Sequence, residues 1–171
     1  MKVAVSNSGP LIHLTLAGLL DFVFELFDFV IIPPQVYEEI VVKGKEQSHS
    51  DAYILERAVN NELIKIEVVK KGNENITSSK LHDAELDTIK LYLQSNFETI
   101  LLDDEEAKVF ARKLGIKVSG TLGILVNLYK HGFFGFSEAL RYLKKINEIM
   151  YLSADVYCYV EKILEEIPQI D

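Results

Sequence analysis

The stretch Glu98-Thr99-Ile100-Leu101-Leu102-Asp103-Asp104-Glu105-Glu106-Ala107-Lys108-Val109-Phe110-Ala111-Arg112-Lys113-Leu114 decides the fold. Residues 97–102 are short, apolar and β-prone, whereas Ala107, Phe110, Ala111 and Leu114 recur at the spacing of one helical face. A strand therefore runs directly into a helix. Four acids fill the junction, Arg112 and Lys113 close the helix and Gly115 follows it, an arrangement that the macrodipole and a left-handed cap both favour. Helix-start chemistry accounts for part of the acidic run. In open α/β sheets, however, ligands gather outside the carboxyl ends of strands, and Asp103 and Asp104 stand at such an end.

The same strand-then-helix unit repeats on either side. Residues 2–6 read as a first strand, and Pro10 opens an apolar helical stretch over 11–26 that Gly18 divides. Phe29-Val30-Ile31-Ile32 is a second buried strand, followed by Pro33-Pro34 and a helix carrying Val36, Tyr37 and Ile40. The polar segment 41–51 reads as a loop, 51–60 as a helix, 63–69 as a β-prone run and 70–80 as a second loop. A helix over 82–94 leads back to the acidic junction. Beyond it, 116–118 forms a short strand, a helix runs from Thr121 to near Gly132, and two helices close the chain, the second capped by Ser153. Strands alternating with helices predict a parallel sheet covered on both faces. The expected organisation is one domain over 1–171, with 133–171 as closing C-terminal helices.

Composition narrows the chemistry. With 171 residues and 49% hydrophobic side chains the chain suits one globular unit with its own core. A single cysteine, Cys158, excludes a disulfide framework and a Cys-rich zinc site, and among Val156, Tyr157, Tyr159 and Val160 it reads as packed and inert. No apolar run approaches the roughly 20 residues that span a bilayer, and no signal-peptide core follows Met1, so a cytoplasmic location without membrane contact is expected. Twenty-six acids against 18 Lys and Arg give a net charge of -8, which argues against a broadly basic, sequence-independent grip on phosphates. Carboxylates gathered to hold a hard divalent cation contribute to such an excess.

Polar residues at strand ends and in early helical turns are Asn7 with Ser8, Glu38 and Glu39, Asp83, Glu85 and Asp87, and the run 103–106. Four segments can thus face one crevice. Oxygen ligands of this kind suit Mg²⁺ or Mn²⁺, and metal-assisted phosphodiester hydrolysis needs them to orient and activate a water.

At these residues the chain resembles the PIN-domain family, and within it a prokaryotic branch of small PIN-like proteins with predicted nucleic-acid binding. The resemblance is carried by Val5-Ser6-Asn7-Ser8-Gly9-Pro10-Leu11-Ile12-His13-Leu14, by Ile32-Pro33-Pro34-Gln35-Val36-Tyr37-Glu38-Glu39-Ile40, and by Leu101-Leu102-Asp103-Asp104 with Ala107. Gly115-Ile116-Lys117-Val118-Ser119-Gly120-Thr121-Leu122-Gly123-Ile124-Leu125 and Tyr151-Leu152-Ser153-Ala154-Asp155 complete it, in order along nearly the whole chain. It implies a three-layer α/β/α sandwich with a central parallel sheet, an acidic metal pocket and, in active members, Mg²⁺- or Mn²⁺-dependent endoribonuclease activity. Many relatives are toxin halves of toxin–antitoxin pairs, so RNA, an antitoxin protein and a homodimer are the implied partners. By position, the family's acids fall at Asn7, at Glu39, at Glu85 with Asp87 nearby, and at Asp103 or Asp104. The chain departs from the pattern at Asn7, an amide where the family has Asp, and at Gly9, where a small hydroxyl residue is expected and Ser8 stands beside it.

Each of these residues has a plainer reading. Asp103 or Asp104 can serve as a helix N-cap, Glu39 as a solvated helical acid, Glu85 and Asp87 as early-helix acids, and Asn7 as a turn residue. His13, His49, His82 and His131 share no metal-binding spacing and read as surface or cap residues. Thr121 reads as a helix cap. Arg112, Lys113 and Lys117 form the nearest basic cluster. The sequence therefore supports a weakened PIN-like ribonuclease first, and a catalytically silent PIN-like module that binds RNA or a protein second. A nucleoside triphosphatase is excluded by the lack of a phosphate-cradling G-x-x-x-x-G-K-[ST] loop.

Overall fold

Five apolar segments become strands: β1 (Val3–Ser6), β2 (Phe29–Ile32), β3 (Ile64–Ile66), β4 (Thr99–Leu101) and β5 (Val118–Ser119). The structure, a computed structural model, describes residues 1–70, 72, 75–95 and 97–168. The strands form one sheet in the order β3-β2-β1-β4-β5, with every neighbouring pair parallel. Parallel neighbours need crossovers, and these place helices over both faces. The chain winds outward from β1 to β3, then returns to β4 on the other side and continues to β5. The topological switch point therefore lies between the carboxyl ends of β1 and β4.

Strand alternation sorts side chains into two unequal cores. Ala4, Val30, Ile32 and Leu101 face a large layer built by α1 (Ser8–Ala17), α2 (Leu20–Leu26), α5 (Ser50–Asn60), α8 (Thr121–Lys130), α9 (Phe136–Met150) and α10 (Ala154–Glu166). Val3, Val5, Ile31, Ile100 and Leu102 face a smaller layer of α6 (Asp83–Gln94) and α7 (Glu105–Lys113). This is the expected α/β/α sandwich. The closing helices belong to the large core, to which α9 gives Ala139, Leu143 and Ile146 and α10 gives Val160 and Leu164.

Gly18 divides the first helical stretch as expected, at φ +79°, and α1 and α2 meet at 116°. Among the described residues no single helix is long and apolar enough to cross a membrane. The segment 41–51 differs from its loop reading. After α3 (Pro34–Tyr37) the chain continues through a π-helical turn (Glu38–Lys43) into α4 (Gly44–Glu46). Its wider turn lets the adjacent Ile40 and Val41 both stay buried, each 1% exposed. Gly44 then allows α4 to close on α5, because a Cβ there would stand 2.8 Å from the Ala52 Cβ. The β-prone run 63–69 pairs with β2 only over Ile64–Ile66, and Val68 is exposed. Part of the expected loop 70–80 (Lys71, Asn73, Glu74) lies outside the described residues. Cys158 is exposed, not packed, because α10 buries Val160 and Leu164 and turns its opposite face outward.

Candidate functional site

The two neighbouring acids after β4 go to opposite layers. Leu101 belongs to the large core and Leu102 to the small one, so continued alternation sends Asp103 toward α1 and α8 and Asp104 toward α6. Asp103 receives three donors. Its Oδ1 accepts the Thr121 backbone N–H at 2.8 Å, and its Oδ2 accepts the Thr121 hydroxyl at 2.6 Å and lies 2.7 Å from His13 Nδ1. Burial works to raise the Asp103 pKa, but the His13 and Thr121 hydrogen bonds outweigh it and hold the carboxyl below the usual aspartate value. The approach is close on every side: a Cβ on Gly120 would stand 2.7 Å from Asp103 Oδ1 and 2.8 Å from the Leu102 carbonyl oxygen. One carboxylate thus ties β4 to two helices of the large layer.

Asp104 caps α7, its Oδ1 accepting the Ala107 N–H at 2.8 Å. It is exposed. Facing it across the small layer is Glu85, in the first turn of α6, whose Oε2 accepts the His82 N–H at 3.1 Å. Burial pushes Glu85 above the ordinary glutamate value, the His82 N–H opposes this, and the charges of Asp104 and Glu39 add to the rise. Glu85 thus feels the charges of both Asp104 and Glu39, though less than its own burial. Glu39 comes from the π-helical turn and accepts a short hydrogen bond from the Ser8 hydroxyl. Asp87 lies further along α6, where it accepts from Gln35 Nε2 at 2.7 Å and pairs with Lys90 at 3.8 Å.

Asn7 occupies the N-cap position of α1, yet its side chain makes no capping bond. Its backbone N–H donates to the Leu101 carbonyl at 3.2 Å, which seats it at the switch point. The residue is 7% exposed, and its Oδ1 is buried without a hydrogen-bond partner. Such an atom carries a desolvation cost of about 1–3 kcal/mol unless something meets it. By alternation from Val3 and Val5, Asn7 continues the face of the small layer, the side of Asp104 and Glu85.

The structure therefore places Asn7 and Asp104 just after β1 and β4 on the side of the small layer, Glu85 within reach of the charges of Asp104 and Glu39, Asp103 on the opposite face as a hydrogen-bonded acceptor, and Asp87 in a pair with Gln35. His13 is the residue that sequence reasoning missed. Its spacing to the other histidines carried no signal. Nor does Gly9, one helical turn earlier, supply one, since a Cβ there would make only ordinary contacts, 3.5 Å from the Asp103 Cβ and 3.8 Å from His13 Cε1.

Burial of Glu85 leads to a measurable expectation. Glu85→Gln keeps an acceptor for the His82 N–H and removes the cost of burying a charge, together with the smaller repulsion from Asp104 and Glu39. The variant should be more stable than the parent at pH 7, by only about 0.5 kcal/mol because the site is partly solvated. A carboxyl with a raised folded pKa destabilises once pH climbs through that value, so the gap should vanish below about pH 4.3, the unfolded value. Urea midpoints at pH 4 and pH 7 check both statements.

A doubly wound parallel sheet with its switch point between β1 and β4 defines a class of α/β proteins that bind ligands at such a crevice. A family model described as a PIN domain matches residues 3–166, and the chain belongs to the PIN-domain family. The family is one of nucleases and nucleic-acid-binding proteins that generally depend on divalent metals. No curated protein and no solved structure matches the chain.

Proposed function

We propose that the chain is a PIN-type RNA-binding phosphodiester hydrolase with a weakened cation site, formed by Asn7, Glu39, Glu85 and Asp104 around Mg²⁺ or Mn²⁺. The observation that carries the reading is the Asn7 Oδ1, a hard neutral donor buried without a partner at the switch point. The charges of Asp104 and Glu39 felt at Glu85 support it. Among the described residues, there is no group of three Asp, Glu, His or Cys side chains that could hold a metal ion on its own. Mg²⁺ needs none, because it keeps several waters and binds through one or two carboxylates together with substrate phosphate. In chemical kind, as hard carboxylate and amide oxygens, the proposed donors suit such an ion.

When bound, such an ion lowers the pKa of a coordinated water and neutralises charge on the phosphate. The protein's own groups do the positioning. Ser8 orients Glu39 through its hydroxyl, the Ala107 N–H fixes Asp104, and the His82 N–H fixes Glu85. Asp103, saturated by Thr121 and His13, holds α1 and α8 against β4 so that Asn7 and Asp104 keep their spacing. A homodimer, and a toxin-like role with an antitoxin partner, belong to the proposal through the family resemblance alone.

A second reading, the catalytically silent module that binds RNA or a protein, is favoured by Asn7 itself, which brings no charge to the ion. The test is calorimetric titration with Mn²⁺ of the parent, Glu39→Gln and Asp104→Asn, alongside cleavage of labelled single-stranded RNAs. Asp104→Asn retains an N-cap, so it separates ligand loss from unfolding. Mn²⁺ uptake and cleavage that both fall in the variants support the hydrolase. RNA binding without cleavage under any divalent ion establishes the silent module instead.

A further inference from the structure

Two depressions of about 640 and 340 Å³ share Val118, Ser119, Gly123 and Val126. They join into one trough beside β5, the strand at the end of the sheet order. Asp103 lines the larger depression, and Phe27 and Lys130 line the smaller. Its charge runs against that of the chain. Lys108, Arg112, Lys117 and Lys130 line it with only Asp103 and Glu98 as acids, whereas the whole protein has 26 acids against 18 Lys and Arg. Three donors already meet the Asp103 carboxylate. Lys108 and Arg112 share one exposed acid, Glu105, at 3.6 and 3.7 Å.

Between the cations the wall is apolar. Leu122 and Val126 of α8 face Val156, Val160 and Ile163 of α10, and Tyr159 stands at the rim, 67% exposed. Spaced cations along a groove with apolar and aromatic walls match a single nucleic-acid strand, whose phosphates follow the charges while its bases leave water. A protein segment would be served by the apolar wall but not by four cations along the length of the groove.

We propose that this trough is a track for a single-stranded RNA passing the end of β4, where Asp103 lines the trough and Asp104 follows it in the chain, with Lys117 and Lys130 holding the phosphates in the smaller depression. The inference rests on the RNA reading above. Both lysines are exposed and belong to none of the groups assigned to the cation. The test is fluorescence anisotropy with a labelled single-stranded RNA of about 12 nucleotides, in EDTA so that nothing is cleaved. Lys117→Glu/Lys130→Glu should weaken binding at least about tenfold and reduce the salt slope by about 1.4, at roughly 0.7 per lost phosphate contact. Lys144→Glu/Lys145→Glu, which changes the other cation-rich depression beside Gly18, should leave affinity unchanged.

Unchanged binding in the first variant overturns the track while leaving the RNA reading intact. Equal weakening in both variants overturns it in favour of diffuse attraction. A parent protein that binds no RNA removes both readings together. A trough variant whose sedimentation shifts from dimer to monomer identifies the trough as an interface between two copies, and overturns the track as well.

Discussion

Asp103→Ala is expected to lower stability by about 3 kcal/mol or more, equivalent to roughly 6–12 °C in thermal midpoint for a domain of this size. The substitution strands three donors at once: the Thr121 N–H, the Thr121 hydroxyl and His13 Nδ1. The side chain is 11% exposed, so water cannot readily replace the lost acceptor. Asp103→Asn should cost much less, about 1 kcal/mol, because it keeps one oxygen for the Thr121 N–H while the hydroxyl and the imidazole rearrange their protons around the amide. The pH dependence separates charge from shape. A carboxyl whose folded pKa is depressed contributes its full stability above the unfolded value near pH 3.9, and loses it as pH falls through the folded value. The gap between parent and Asp103→Asn should therefore stay constant from pH 7 to about pH 4 and close below that. Thermal melts at pH 7, 5 and 3 measure it. A gap that persists at pH 3 would mean that the carboxylate charge contributes nothing and only its shape matters.

Much of this fold can be read from local chemistry. Short apolar runs became strands at 3–6, 29–32 and 99–101, and the expected α/β/α layering followed from their alternation with helices. The strand order did not, because nothing in the periodicity of β4 says that it pairs with β1 and not with β3. The segment 41–51 failed for a different reason. Its Gly and Ser content signals a turn, but Gly44 is there for close helix packing, a requirement that comes from Ala52 on another element.

The acid pair carries the main lesson at the site. Neighbouring residues at a strand end point to opposite faces, so Asp103 and Asp104 were never interchangeable candidates. The core memberships of Leu101 and Leu102 separate them. The alternation was legible, but which face held α6 with Glu85 depended on the crossover. His13 stayed hidden because its partner lies 90 residues away, and only the switch point brings them together.

Asn7→Asp should restore what the site lacks. In EDTA the new carboxylate would sit nearly buried, on the side of the sheet that carries Asp104 and Glu85, and should cost about 1–3 kcal/mol. Asn7→Ala should be neutral or mildly stabilising under the same conditions, since it removes an amide oxygen that is buried without a partner. Saturating Mn²⁺ should reverse the order. A formal negative charge added to a hard-oxygen site should tighten binding about tenfold, which adds about 1.4 kcal/mol of linked stability, or roughly 3–6 °C beyond the parent's own Mn²⁺ shift. Asn7→Ala should lose most of that shift. RNA cleavage in Mn²⁺ should rise in Asn7→Asp and fall in Asn7→Ala. Thermal shift and cleavage report different steps, binding of the ion and use of it. An Asn7→Asp protein that binds Mn²⁺ more tightly yet leaves RNA intact identifies a metal-binding module without hydrolysis. If neither variant changes the Mn²⁺ shift, Asn7 is not a ligand, and its unpartnered oxygen is a cost the fold carries for the turn into α1.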